Sequence, residues 1–188
     1  MRGIVFAAAL MCWALPAAAQ LLEERRGLCL ACHGEKGQSD TPEVPSLGAQ
    51  PVFFLTIQLV MFRERLRVVE LMNEVMKGLS DNDLRSLADL ISKLPAPQPD
   101  PRPADPVRIE RAQALVLQHR CNFCHGPNFA GQENVPRLAA QREDYLVKTL
   151  REYKSNTRRG YDASMSDVMH PITDQDILDM AHFLARVK

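Results

Sequence analysis

The segment Cys29-Leu30-Ala31-Cys32-His33 recurs 92 residues further on as Cys121-Asn122-Phe123-Cys124-His125. These two copies of C-x-x-C-H constrain the chain more than any other feature. In this pattern two thiols three residues apart form thioethers with the vinyl groups of a c-type haem, and the adjoining histidine reaches the iron from one face. A lone C-x-x-C would also suit a redox dithiol or half of a zinc site. Zinc would need four ligands gathered at one point, whereas each cluster here carries its own histidine. A redox dithiol of the thioredoxin type would sit in a βαβ pattern, and the surroundings are helical and polar. The chain therefore reads as holding two covalently attached haem c groups, on Cys29 and Cys32 and on Cys121 and Cys124, with His33 and His125 as iron ligands.

The remaining cysteine, Cys12, lies in the apolar run from Ile4 to Leu15 that follows Met1-Arg2-Gly3 and precedes Pro16 and Ala17-Ala18-Ala19. This is the layout of an export signal covering residues 1–19, cleaved before Gln20. The run falls well short of the roughly 20 apolar residues a membrane-spanning helix needs. Export predicts a bacterial periplasmic location, and in that oxidising compartment the four other cysteines are all committed to haem, leaving none for disulfides. Residues 20–94 carry nine Lys/Arg against eleven Asp/Glu, and residues 107–188 twelve against ten. The two halves are thus mildly opposite in charge, and nothing resembles a basic face for nucleic acid. Halves this small usually need a staple beyond their apolar core, which a buried haem supplies.

Between Pro95 and Pro106 stand six prolines in twelve residues, a composition that excludes helix and favours an extended, semi-rigid linker. On either side the same features recur in the same order, as expected of a duplicated unit. Val44-Pro45-Ser46-Leu47-Gly48-Ala49-Gln50 matches Val135-Pro136-Arg137-Leu138-Ala139-Ala140-Gln141. An amphipathic helix is predicted from Pro51, as first helical residue, to about Arg65, and another from Glu143 to about Ser155. The tails Met72–Leu84 and Met165–Ile177 align without a gap. In them Ser80 with Asp83, and Thr173 with Asp176, are N-cap pairs that start terminal helices running to about Leu94 and Val187. Helices are also predicted ahead of each haem motif, from about Leu21 and from Pro106 behind an Asp105 cap. Nothing reads as a strand, and the fold class is all-α.

A low-spin electron-transfer haem needs a second axial ligand, commonly a methionine sulfur. Met72 follows His33 by 39 residues and Met165 follows His125 by 40, each in a predicted loop before the terminal helix. Met76 and Met169 also align, four residues later, so spacing alone offers two candidates per haem, and methionine at helical spacing is as a rule core filler. His119, His170 and His182 stand outside the attachment motif and read as exposed or hydrogen-bonded. Arg151, Lys154, Arg158 and Arg159 form the densest basic run, suited to haem propionates, to an acidic redox partner or to a solvated helix face.

This order of helix, C-x-x-C-H, P-x-L-x-x-Q, helix, methionine loop and capped helix, given twice, resembles the dihaem class I cytochromes c of the cytochrome c4 family over almost the whole chain after residue 19. The resemblance implies two tandem cytochrome c domains, residues 20–94 and 107–188, joined by the 95–106 linker. It implies Met72 and Met165 as the axial methionines, and Pro45 and Pro136 as carbonyl acceptors for the second nitrogen of each axial histidine. It implies that the haem propionate edges face each other. The chain departs from the family in having Ala-Gln where the family has Gly-Gln, and in a more apolar loop at Arg65–Leu71.

The function expected from the resemblance is that of a soluble periplasmic carrier, not an enzyme, passing single electrons between respiratory donors and a terminal oxidase or reductase. Its partners would be redox proteins, a reductase or dehydrogenase as donor and an oxidase as acceptor, most of them membrane-bound. The alternatives are an electron-transfer subunit of a larger dehydrogenase complex and a dihaem enzyme of the peroxidase or thiosulfate-oxidising type. An enzyme would need a displaceable sixth iron position, whereas a methionine is on hand for each iron and no cysteine is spare.

Overall fold

The computed structural model describes residues 17–158 and 163–188. Most of the export signal, with Cys12, and the basic-run residue Arg159 lie outside the described residues. The helices are α1 (Ala17–His33), α2 (Val52–Arg63), α3 (Glu70–Met76) and α4 (Asp81–Ser92), then α5 (Pro106–Gln118), α6 (Cys121–His125), α7 (Glu143–Lys154), α8 (Ser164–Met169) and α9 (Asp174–Leu184). The architecture is all-helical, and the only extended pairing among the described residues is an isolated bridge between Gln132 and Val135.

The duplication is visible in the packing. In the first half α4 lies against α1 and α2, and α3 against α2; in the second, α9 lies against α5 and α7, and α8 against α7. Two separate cores result. Leu55, Leu59, Phe62, Met76, Leu84, Leu87 and Ile91 form one. Val116, Leu146, Leu150, Met169, Ile177, Met180 and Leu184 form the other. The apolar stripes of α4 and α9 supply the centre of each, as their helical spacing requires.

Both terminal helices begin with full capping boxes. Ser80 Oγ accepts from Asp83 N at 3.2 Å while Ser80 N donates to Asp83 Oδ2 at 2.8 Å; Thr173 and Asp176 repeat this at 3.1 and 3.0 Å. Asp105 Oδ1 caps α5 through Val107 N at 2.9 Å, with Pro106 in the first turn.

Two local expectations are corrected. Pro51 is the N-cap of α2 rather than its first helical residue, with φ −55° and ψ 132°. Met72 and Met165 sit in the short helices α3 and α8, not in loops. The 95–106 linker is tied to both halves: Asp100 N donates to Ala185 O at 2.9 Å, and Gln98 N donates to Gln38 Oε1 at 2.9 Å.

Candidate haem sites

The two attachment motifs are built differently. Cys29, Cys32 and His33 close the continuous helix α1. In the second half the chain breaks at Arg120, which takes a left-handed φ of 55°, and restarts as the five-residue α6 carrying Cys121, Cys124 and His125. Either way the thiols stand three residues apart on one helical face, with the histidine one turn beyond the first thiol. Burial pushes the Cys29 and Cys121 thiols up, while Cys32 and Cys124 lie exposed.

Each histidine is held by the loop that the P-x-L segment forms. The Gly37 carbonyl accepts from Leu47 N and Gly48 N at 2.7 and 3.0 Å, and the Phe129 carbonyl accepts from Leu138 N and Ala139 N at 2.8 and 3.0 Å. This pins Pro45 and Pro136 beside the rings. His33 Nδ1 donates to Pro45 O at 2.8 Å, and His125 Nδ1 to Pro136 O at 2.8 Å. A prolyl carbonyl can only accept, so Nδ1 carries the proton in both rings and Nε2 keeps its lone pair for iron. Burial lowers both histidine pKa values, outweighing the carbonyl bond that opposes it, and so favours the neutral imidazole that ligation requires.

A cavity of about 1050 Å³ runs between the halves, lined by Cys32, His33, Met72, His125 and Met165 together with an apolar wall from Leu55, Leu59, Phe62, Leu146 and Leu150. That exceeds the range of roughly 300–1,000 Å³ typical of a small-molecule site, and the lining reaches both histidines. Met76 and Met169 are not part of it. They are 0 % and 3 % exposed, inside the two cores. The donor set fits haem: the Cys32 thiol in the lining with the other attachment cysteines on the same helices as the histidines, a neutral imidazole nitrogen and a thioether from each half, and an apolar wall. Bound haem iron supplies one-electron exchange between ferric and ferrous states. The protein's part is to hold the rings in one tautomer and keep the site in an apolar wall.

Of the basic run, Arg151 pairs with Asp174 at 2.7 Å and Lys154 donates to the carbonyls of His170 and Ile172, so neither faces the cavity; Arg158 does. His182 is hydrogen-bonded, its Nε2 accepting from Asp105 N at 3.0 Å. Sequence reasoning missed Arg67 and Tyr145, which also line the cavity. Arg67 stands at the same 91-residue offset from Arg158 as Pro45 from Pro136, a register that was open to inspection.

Two covalent c-type sites in tandem helical domains define a dihaem class I cytochrome c. The Cytochrome c family matches residues 109–188. The chain is 31% identical over 169 residues to cytochrome c4 of Thiocapsa roseopersicina, covering 84% of this chain and 86% of that protein. It is 30% identical over 198 residues to the thiosulfate dehydrogenase electron acceptor of Thiomonas intermedia, covering 98% and 91%. The crystal structure of reduced recombinant cytochrome c4 from Pseudomonas stutzeri superposes with a TM-score of 0.79 at 25% identity, covering 89% of this chain and 98% of that one. The chain belongs to the cytochrome c4 family, and it is a dihaem electron carrier.

Proposed function

We propose that the protein is an exported carrier of single electrons in the bacterial periplasm, with residues 1–19 as its signal and residues 20–94 and 107–188 as its haem domains. Cys29 and Cys32 carry the first haem, with His33 and Met72 on its iron; Cys121 and Cys124 carry the second, with His125 and Met165. The observation that carries this reading is the single cavity whose wall includes both histidines and both of these methionines while Met76 and Met169 are spent on the cores. A methionine on each iron leaves no open position for a substrate, so the chemistry is electron exchange alone. No helix among the described residues is long and apolar enough to cross a membrane. The carrier meets its donor and acceptor by diffusion, accepting from a dehydrogenase or reductase and delivering to a membrane-bound oxidase or reductase.

A second, narrower reading makes the donor a thiosulfate dehydrogenase. It is favoured by the similarity over nearly the full chain to the Thiomonas intermedia electron acceptor. Stopped-flow mixing of the oxidised holoprotein with candidate donors tests both. The account expects second-order reduction by a dehydrogenase, reoxidation by membranes bearing a terminal oxidase, and no consumption of peroxide or thiosulfate by the protein alone. Turnover of either compound by the isolated protein would contradict it. Reduction by thiosulfate only when a thiosulfate dehydrogenase is added would support the narrower reading.

A further inference from the structure

We propose that Asn73 is the positioning residue for the methionine of the first iron: its buried amide clamps the start of α3 to the end of α2 and so fixes Met72 in the cavity wall, whereas Met165 is held in the second half without such a clamp. The proposal rests on the reading of Met72 and Met165 as axial ligands and deepens it.

Asn73 is 2 % exposed, and its amide uses both N–H protons and its oxygen. Nδ2 donates to Phe62 O at 2.7 Å and to Arg67 O at 2.8 Å, while Oδ1 accepts from Val69 N at 2.8 Å. Asn73 N donates in turn to Val69 O at 2.9 Å, which closes a two-bond ring between these residues. One side chain thus joins the last turn of α2, the connecting turn and the N-cap of α3.

The short helix needs this support. Seven residues are too few for an α-helix to be stable by itself. Its N-cap is Val69, which has no side-chain oxygen to close the first turn. In a capping box the third helical residue reaches back to the N-cap N–H, and here Asn73, the fourth, does so. Met72 lies immediately before it and lines the cavity; Met76 lies one turn on, buried in the core. With Asn73 bonded to α2 and Met76 packed behind, α3 cannot swing away from the cavity without leaving buried polar groups unpaired.

The second half lacks the chemistry for this. The gapless alignment of the two tails sets Ser166 opposite Asn73. A hydroxyl has one proton, so it cannot donate to two carbonyls as the amide does. A molecule that competes for iron takes the place of the sulfur, and the room for it comes from movement of the methionine helix. Whatever stabilises the helix in place weakens the competitor by the same factor. Loss of buried hydrogen bonds of ordinary strength corresponds to about tenfold or more.

Imidazole titration of the oxidised holoprotein, read from the near-infrared sulfur-to-iron band, tests this. M165A leaves only the band of Met72, and M72A only that of Met165. The band of M165A should survive to about tenfold higher imidazole than that of M72A, and adding N73S to M165A should remove the difference. L87A, a truncation in the first core away from the cavity lining, controls for plain loss of stability: it should lower the melting temperature without moving the midpoint. If N73S sheds haem, N73D carries the same test, because it keeps the size and the Val69 contact while setting an oxygen against the Phe62 and Arg67 carbonyls. Equal midpoints in M165A and M72A would overturn the clamp, as would an N73S shift no larger than that of L87A. Absence of the band from M165A would instead overturn the ligand reading on which the proposal rests.

Discussion

Gln141 and Ser46 form a closed ring across the two halves: Ser46 N donates to Gln141 Oε1 at 2.8 Å, and Gln141 Nε2 donates to Ser46 O at 2.9 Å. The mirror image joins Gln50 and Arg137, with Arg137 N to Gln50 Oε1 at 2.9 Å and Gln50 Nε2 to Arg137 O at 2.9 Å. Each glutamine amide thus mimics a peptide group against the other half, at the residue after the proline whose carbonyl orients the axial histidine. The geometry of each iron site is thereby tied to the packing of both domains.

Replacing Gln141 by Ala strips the buried Ser46 N–H and C=O of their partners, which costs about 1–3 kcal/mol per unsatisfied group. Chemical denaturation of Q141A holoprotein should show lowered stability and two separated unfolding transitions in place of a coupled one. A single transition at the wild-type midpoint would show that the halves are held by other contacts.

Ala49 and Ala140 explain a departure from the family. Both have left-handed backbones, with φ of 52° and 55°, and their N–H groups donate to Leu94 O and Leu184 O, each at 3.0 Å. The family's glycine occupies that conformation freely, while an alanine is strained by roughly 1–2 kcal/mol. Glycine gives back about 0.4–1 kcal/mol through the entropy of the unfolded chain. A49G should therefore be more stable than the wild type by on the order of 0.5–1 kcal/mol, measured by thermal melting with haem retained. A destabilised A49G would mean that the methyl group's packing outweighs the strain.

Met76 and Met169 fill the cores, so truncation and ligation can be separated. M76A and M169A should each lose about 2–5 kcal/mol of stability, and the Leu variants less than about 1.5 kcal/mol. All four should keep the sulfur-to-ferric-iron absorption. Its loss in any of them would reassign that ligand.

Asp100 gives the linker a pH dependence. Arg102 hydrogen-bonds it, Arg186 Nη2 adds charge at 3.5 Å, and together they overcome burial and hold its carboxyl down to about 2 from 3.8. A depressed folded-state pKa contributes stability that is fully present above the unfolded value and is lost as pH falls through the folded one. D100N should be less stable than the wild type at pH 7, with the gap closing between about pH 4 and pH 2. A gap independent of pH would show that the contribution is not ionic.

How much of this was legible in sequence depends on the range of the interaction. The capping boxes at Ser80 and Thr173, the stripes of α4 and α9 and the two haem motifs are local patterns, and each lies where its spacing predicts. Helices α3 and α8, of seven and six residues, are too short to show a helical period in sequence. The break at Arg120 carries no glycine or proline to announce it. The glutamines stood out as repeated residues, but their partners lie 87 and 95 positions away and follow only from how the domains pack. Arg67 looked like one charge among several in an apolar loop until its duplicate and Tyr145 were brought beside it.

The central claim is two closed His/Met centres on one chain, and an optical spectrum of the oxidised protein with a haem count tests it most directly. The account predicts two haems and a full-strength near-infrared sulfur-to-iron band, halved by M72A or by M165A and abolished by both together. A half-strength or absent band in the wild type, with a high-spin signal that shifts on adding small ligands, would contradict it and mean an open iron.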